Sequence, residues 1–325
     1  MGNDIVDTDL FEAYLLGHPF TGKPVNLYNA MNYIMQLGGK RMRPKLLLLA
    51  YHSIKGELDQ EVLKLALAIE TFHNFSLVHD DIMDNAPIRR GKKTVHEEWD
   101  QSTAILAGDN LLIKAYQLIL DTNYACKDQL LKAYTKMSAQ VCDGQQMDMN
   151  LPKQSQITEA EYLQMIQLKT AVLPAVALQM GALAAGANET VCNAFYDFGL
   201  HLGMAFQLQD DYLDAFGSAQ DIGKQEGGDI IENKRTILLL HALQHLKGAD
   251  LYQLQNLIDQ APADEAFKIS TVRQLMKQSG SDQHLLQLKQ AYETTAHQFL
   301  DIACPEPQQQ VGLLRLFEGL KTRVY

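Results

Sequence analysis

An all-α protein of ten or more helices is what this sequence predicts, and three observations predict it. Apolar residues recur at helical spacing through most of the chain, as in Val62, Leu65, Ile69 and Phe72 and again in Leu111, Ala115 and Leu118. Strand-like alternation is scarce. The 325 residues include only 9 prolines and 21 glycines, roughly 3% and 6% against averages of about 5% and 7%, which leaves little turn chemistry for a many-stranded sheet.

The same composition, 46% hydrophobic and 21% charged, belongs to a globular protein with a large buried core. No Pro/Ser/Gly linker or shift of composition divides the chain, so residues 1–325 read as a single domain. Lys and Arg number 28 against 39 Asp and Glu, a formal charge of −11, and such a surface repels nucleic acid and anionic lipid. Cys126, Cys142, Cys192 and Cys304 form no metal spacing and read as small buried hydrophobes in a reducing, cytoplasmic setting. Asp4, Asp7 and Asp9 stand where a secretory signal would be basic. The best apolar stretch, Ala171 to Ala187, is broken by Pro174 and Gln179 and is shorter than the roughly 20 residues of a membrane span. It reads as a buried core helix.

Taken in chain order, Gly38-Gly39 ends one helix and Pro44 takes the first helical position of the next. NAPIRRGKKT after Asp84 is a loop, as is FGSAQDIGKQEGGD after Asp214, and Pro305 to Gln310 is a polar surface turn. The residues capable of chemistry gather at these helix ends.

ETFHNFSLVHDDIMD places Asp80, Asp81 and Asp84 at the end of an apolar helix, and GMAFQLQDDYLD repeats the arrangement with Asp210, Asp211 and Asp214. Each is a DDxxD. Residues three and four apart share a helix face, so each cluster aligns like charges that also oppose the macrodipole at a helix C-terminus. A divalent cation resolves that cost. A donor set of carboxylates without Cys or His spacing suits a hard ion, magnesium above all, which keeps waters and completes its shell with phosphate oxygens. A single DDxxD is as well explained as an exposed acidic helix end; two copies, each followed by a basic Gly-bearing loop, are not.

Basic residues flank both clusters. Lys40, Arg41 and Arg43 follow Gly38-Gly39, Arg89 and Arg90 follow the first cluster, and Lys224, Lys234 and Arg235 follow the second. Lys169-Thr170 precede Pro174. In a chain this acidic, local cations beside carboxylates point to a diphosphate held by both metal and ammonium or guanidinium groups. Gln207, Asp210, Asp211 and Asp214 lie at i, i+3, i+4 and i+7, one helical face. His73, Leu77, Asp80 and Asp84 obey the same rule, although a core histidine is the commoner reading of His73 on register alone.

GGKRMRP, FHNFSLVHDDIMD, RRGKKTVH, AILAGDNLL, Lys169-Thr170, FQLQDDYLD and GKQEGGDIIENKRT, in this order over residues 38 to 236, together resemble the trans-polyprenyl diphosphate synthases. The resemblance implies the isoprenoid synthase fold, helices around a central cavity, and usually a homodimer. It implies condensation of isopentenyl diphosphate with an allylic diphosphate (dimethylallyl, geranyl or farnesyl) and release of pyrophosphate. Asp80, Asp84 and Asp210, with Asp81 and Asp214 supporting and Asp211 in the same motif, would hold magnesium ions, commonly three, or manganese in their place. By motif position Arg89, Lys169 and Lys224 would bind the allylic diphosphate, and Lys40, Arg43, His73 and Arg90 the isopentenyl diphosphate. Thr170 and Gln207 would sit beside the developing cation, and Lys234 would add to diphosphate capture. Trp99-Asp100 and Gly217-Ser218 depart from the sequence many relatives carry at those places.

Product length in this family is expected to follow the floor of an apolar tunnel below the first cluster. Phe75 lies five residues, ~7.5 Å of helix, before Asp80, with small Ser76 beside it and Phe72 a turn further. That pattern implies a short product, 20-carbon geranylgeranyl or 15-carbon farnesyl diphosphate. The alternatives are a terpene cyclase on the same fold, a metal-dependent phosphohydrolase built on His73 and His79-Asp80, and a non-catalytic helical partner subunit of a prenyl synthase.

Overall fold

In a computed structural model, described for residues 8–154, 157–217, 226–260 and 264–321, helices make up nearly all the regular structure. Among the described residues the one sheet is a two-stranded ribbon. The chain divides into two compact units that interleave in sequence: Met1–Thr135, Val176–Phe195 and Ala303–Leu313 in the first, Lys136–Ala175, Tyr196–Ile302 and Leu314–Tyr325 in the second. No change of composition marks these boundaries, which is why the sequence reads as one domain.

The first unit contains α1 (Thr8–Gly17), α2 (Val25–Gln36), α3 (Met42–Lys55), α4 (Gln60–Met83), the hairpin β1 (Ile88–Arg89) and β2 (Lys92–Lys93), α5 (Val95–Glu98), α6 (Gln101–Leu120) and the start of α7 (Lys127–Asn150). Helix α4 packs along α6 and α3 and is buried on nearly every side from Val62 to Phe75, the pattern of a central helix rather than an amphipathic one. Its start is tightly fixed. The Asp59 carboxylate caps it by accepting from Val62 N–H at 2.7 Å, and also accepts from the Tyr51 hydroxyl at 2.7 Å and the Tyr124 hydroxyl at 2.8 Å.

Two boundaries differ from the sequence reading. Helix α3 opens at Met42, so Pro44 is its third residue; all first-turn N–H groups lack intrahelical acceptors, so a proline fits there equally well. The loop after Asp84 contains the antiparallel hairpin, with Ile88 opposite Lys93 and Arg89 opposite Lys92. Its two turn residues, Arg90 and Gly91, both have positive φ, 51° and 73°, the conformation that matches the twist of paired strands.

The second unit is built around Tyr162, Met165, Leu208, Ile237, Leu240, Leu254, Leu275 and Leu285. It takes the rest of α7, α8 (Glu159–Ile166), a π turn (Gln167–Ala171), the first turn of α9 (Val172–Ala184), most of α10 (Glu189–Phe216), α11 (Gly228–Ile231), α12 (Ile237–His245), α13 (Gly248–Asp259), α14 (Glu265–Gln278), most of α15 (Ser281–Ala303) and the end of α16 (Pro307–Lys321). Helix α8 begins in a capping box, Thr158 and Glu161 exchanging side-chain and backbone hydrogen bonds. Residues Pro305 to Gln310, expected as a surface turn, instead run into a helix that Pro307 opens.

The apolar stretch at Ala171 belongs to a helical run, Glu159–Ala184, that by length and composition alone is long enough to cross a membrane, with 67% of its window buried in the protein. It is a core helix, as the sequence predicts. The cysteines divide: Cys192 and Cys304 are buried, Cys126 is half-buried and Cys142 is exposed, all four with free thiols. Cys142 sits on a face of α7 that meets solvent, so its thiol does not serve the core.

Candidate active site

A cleft of about 450 Å³ opens in the second unit. Along one wall runs the end of α10, where Gln207, Asp210, Asp211 and Asp214 follow the register read from the sequence. Asp210 and Asp214 are half-buried and line the opening. Asp211 turns inward, 3% exposed, and accepts from the Tyr162 hydroxyl at 2.6 Å and from Gln207 Nε2–H at 3.1 Å. Burial pushes the Asp211 carboxyl up to about 7, with the bonds from Tyr162 and Gln207 pulling the other way.

Opposite lies the π turn that carries Lys169 and Thr170. It is seated between two glycines. A Cβ on Gly144 of α7 would fall 2.3 Å from Lys169 N, and one on Gly203 of α10 would fall 2.7 Å from the Ala171 Cα, so only glycine lets both helices close on the bulged backbone. A π bulge turns side chains off the regular helical face and is often found at functional sites. Here Thr170 Oγ1–H donates to Gln207 Oε1 at 3.3 Å, which orients the amide so that its NH₂ faces Asp211. Lys169 Nζ pairs with Asp148 Oδ2.

The remaining wall is the segment after the second cluster. Asp229 N–H donates to Asp214 Oδ1 at 2.8 Å, and Lys234 pairs with Asp229 at 2.8 Å and Glu232 at 3.3 Å. Desolvation works against the ammonium, but those carboxylates outweigh it and hold the Lys234 pKa above its ordinary value. Lys224 and Ser218 lie outside the described residues. Among the described residues the lining thus gathers six carboxyl groups, of Asp148, Asp210, Asp211, Asp214, Asp229 and Glu232, against three cations, Lys169, Lys234 and Arg235. Asp148, Tyr162 and Asp229 went unread in the sequence, which offers one hint for the first of them: Gly144, one turn before Asp148, marks a close approach.

In the first unit the end of α4 repeats the pattern of α10. Asp84 is exposed and Asp80 half-buried, whereas the middle residue, Asp81, is 1% exposed. Arg89 meets it with Nε at 2.9 and 2.8 Å from the two oxygens and Nη2 at 2.7 Å. The hairpin brings that guanidinium back over the helix end. Asp81 and Arg89, expected as a metal carboxylate and a diphosphate ligand, are thus each other's partners here, because a buried carboxylate needs a fork of donors more than it can offer lone pairs.

The basic run after Gly38-Gly39 separates by direction. Lys40 is exposed. Arg41 turns inward with φ 47° and is spent on Glu70 at 2.7 Å, Glu12 at 2.8 Å and the Met35 carbonyl at 2.7 Å. Arg43 Nη1 meets His73 Nε2 at 3.1 Å. Burial first, then Arg43, Arg90, Arg89 and Arg41, hold the His73 pKa well below the usual histidine range. The ring is therefore neutral near pH 7, accepts at Nε2 from Arg43 and carries its proton on Nδ1. Arg90 Nη1 binds the Gly38 carbonyl, tying the hairpin turn to the same loop. The structure so brings Arg43, His73 and Arg90 together.

Phe72 and Phe75 pack as a tilted pair with centroids 5.3 Å apart, and each meets a further ring edge to face, Phe72 with Tyr134 at 5.6 Å and Phe75 with His79 at 4.9 Å. Both are buried; Ser76 is half-buried and its hydroxyl donates to the His73 carbonyl. The two phenylalanines form one aromatic layer continuing into α7.

The donor chemistry fits a hard divalent ion. The partly exposed groups at both helix ends are carboxylates, and among the described residues no three His, Cys, Asp or Glu side chains form a ready cage. Magnesium needs none, since it takes one or two carboxylates and fills its shell with water and phosphate.

Known proteins resemble this chain along most of its length. The polyprenyl synthetase family description matches residues 24–276. A geranylfarnesyl diphosphate synthase of Natronomonas pharaonis is 36% identical over 93% of this chain and 92% of its own length. A geranylgeranyl diphosphate synthase of Methanosarcina mazei is 36% identical over 93% of this chain and 91% of its own. The crystal structure of a geranylgeranyl pyrophosphate synthase superposes with a TM-score of 0.91 at 38% identity, covering 98% of both chains. The chain belongs to the polyprenyl synthetase family and is a prenyltransferase.

Proposed function

We propose that the protein condenses isopentenyl diphosphate head to tail with an allylic diphosphate to give a short all-trans prenyl diphosphate and pyrophosphate. The observation that carries this reading is the charge of the cleft. With six carboxyl groups against three cations among the described residues, it repels a bare diphosphate and accepts one that arrives with divalent ions.

Asp210, supported by Asp214, holds magnesium at the end of α10, and Asp80 and Asp84 do so at the end of α4. Bound magnesium supplies charge neutralisation that makes the diphosphate a competent leaving group. Lys169 exchanges Asp148 for diphosphate oxygens, joined by Lys234 and Lys224, and Arg89 turns its remaining N–H groups to the diphosphate while it keeps Asp81. The allylic C–O bond breaks, its electron pair leaving with the diphosphate. The Thr170 and Gln207 oxygens face the cation and stabilise it. Lys40, Arg43, neutral His73 and Arg90 hold the isopentenyl diphosphate, whose double bond supplies the pair for the new C–C bond. Loss of a proton to the released pyrophosphate restores the double bond.

Asp81 and Asp211 serve the reaction by fixing the helix ends rather than by ligation. Phe75, backed by Phe72, limits the product to 20 carbons or fewer. A second copy of the chain covers α6, where Leu106, Ile113 and Leu120, seven residues apart, are 58%, 54% and 50% exposed along one face. The working form is a cytoplasmic homodimer.

Mass spectrometry of products from isopentenyl diphosphate with dimethylallyl, geranyl and farnesyl diphosphate tests this. Growth in five-carbon steps is expected. Cyclic hydrocarbon from the allylic diphosphate alone would make the protein a cyclase instead.

A further inference from the structure

Helix α14 does not line the cleft, yet three of its side chains reach both ends of the acidic segments that do. Arg273 donates Nε–H to the Ala215 carbonyl and Nη2–H to Gly217 O at 3.5 Å, both at the C-terminal end of α10, and pairs through Nη1 with Glu226. Lys268, 3% exposed, donates Nζ–H to Ile231 O at 3.0 Å, at the C-terminal end of α11. Between them Ile269 lies over Gly227, where φ is +66° and a Cβ would come within 3.0 Å of the isoleucine. Arg273 meets carbonyls at the negative end of α10, the favourable pole for a cation, and Lys268 satisfies the last carbonyl of the single turn α11.

What α14 grips are the two segments that carry the cleft carboxylates Asp214 and Asp229. Gly227 N–H donates to the Asp214 carbonyl at 3.2 Å, Asp229 N–H to Asp214 Oδ1 at 2.8 Å, and Lys234 pairs with Asp229. Arg273 ties these segments together, with one arm on the Ala215 and Gly217 carbonyls and the other on Glu226. Without it, residues 226–229 keep the bonds of Gly227 and Asp229 to Asp214 but lose the tie at Glu226 that braces them.

We infer that Arg273, with Lys268 beside it, is a positioning residue for the second aspartate cluster, setting Asp214 against Asp229 and Lys234 in the arrangement that receives a magnesium diphosphate. The inference rests on the reaction proposed above and adds residues to it that touch neither substrate nor metal. Supporting partners of this kind typically cost about ten- to a hundredfold in affinity or activity when removed. A merely structural role would instead weaken the fold and both substrates' kinetics alike.

The test compares wild type, Arg273→Met and Glu226→Gln. Calorimetric titration with magnesium and inorganic pyrophosphate reads binding without turnover, and steady-state kinetics reads KM for each substrate. We expect the pyrophosphate Kd and the allylic KM to rise about tenfold or more in Arg273→Met, and in the same direction in Glu226→Gln, while the KM for isopentenyl diphosphate stays within about twofold. Unchanged Kd and allylic KM in a folded variant overturn the inference. So does a parallel rise in both KM values accompanied by a lower urea midpoint. Should Arg273→Met not fold, Glu226→Gln decides by the same measures. If wild type consumes no isopentenyl diphosphate, the reaction is refuted, while the calorimetry still reads the clamp.

Discussion

Tyr162 donates its hydroxyl to Asp211 at 2.6 Å, on a carboxylate that is 3% exposed. Arg89 does the equivalent for Asp81 with three N–O contacts. In both DDxxD motifs, therefore, the middle aspartate is an internal fixture and its neighbours meet the cleft or solvent. The like-charge cost inferred from the motif is lowered at the inward carboxylate by protein donors, and in the reaction proposed above the outward pair meets a cation.

Loss of the Tyr162 hydroxyl should therefore destabilise the second unit. Tyr162→Phe leaves Asp211 with Gln207 as its remaining side-chain donor among those described, and a buried acceptor deprived of a partner costs ~1–3 kcal/mol. Urea unfolding of the folded variant checks this; an unchanged midpoint would contradict the role given to the hydroxyl.

Acid should weaken the anchor of α4. Burial raises the Asp59 carboxyl, but the bonds from Tyr51, Val62 and Tyr124 outweigh it and leave its pKa below the ordinary value. The unfolded chain then binds the proton first, so this stability is fully present above an unfolded pKa of about 3.9 and is lost as pH falls through the lower folded value. Tyr51, pushed up to about 12 mainly by burial and its bond to Asp59, adds the opposite slope: the unfolded phenol ionises first near pH 10, and stability falls as pH rises toward 12. Urea midpoints from pH 3 to 11 should show both slopes in wild type, and in Asp59→Asn a weakened acid slope beside an alkaline slope that persists, because burial still raises Tyr51; an unchanged acid slope would refute the linkage.

Phe75→Ala should lengthen the product by one or more five-carbon units. Phe72→Ala is the poorer probe, because that side chain is fully buried between Phe75 and Tyr134 and its loss costs ~3–5 kcal/mol of stability. Product mass with farnesyl diphosphate as starter reads the outcome. Unchanged length in folded Phe75→Ala would remove the ring from any account of the tunnel floor.

Charge on α6 should divide the dimer. Leu106→Glu with Ile113→Glu places carboxylates on the exposed stripe without entering the core, and sedimentation should give a monomer where wild type gives a dimer. A monomeric wild type would contradict the assignment of that face.

Much of the site was legible because it is local. The i, i+3, i+4, i+7 register of Gln207 to Asp214 is a property of one helix, and the structure keeps it. What the sequence hid depends on partners far along the chain. Arg41 and Arg43 are two residues apart in one basic run, yet Arg41 is buried against Glu12 and Glu70 while Arg43 meets His73; no pattern in GGKRMRP separates them. The π turn at Lys169 was hidden for the same reason, since the glycines that permit it lie on α7 and α10. The hairpin was hidden for a local one: Arg90 takes a positive φ that sequence rules reserve for Gly, Asn or Asp.

We propose that both aspartate clusters serve one magnesium-dependent elongation. Its most direct test is the ratio of pyrophosphate released to isopentenyl diphosphate consumed, in wild type with magnesium or with chelator and in Asp80→Ala/Asp84→Ala and Asp210→Ala variants shown to be folded by circular dichroism. The account predicts a one-to-one ratio in wild type, with both quantities falling together by orders of magnitude when metal or either cluster is removed. Pyrophosphate release without consumption of isopentenyl diphosphate, or turnover that survives loss of a cluster, would contradict it.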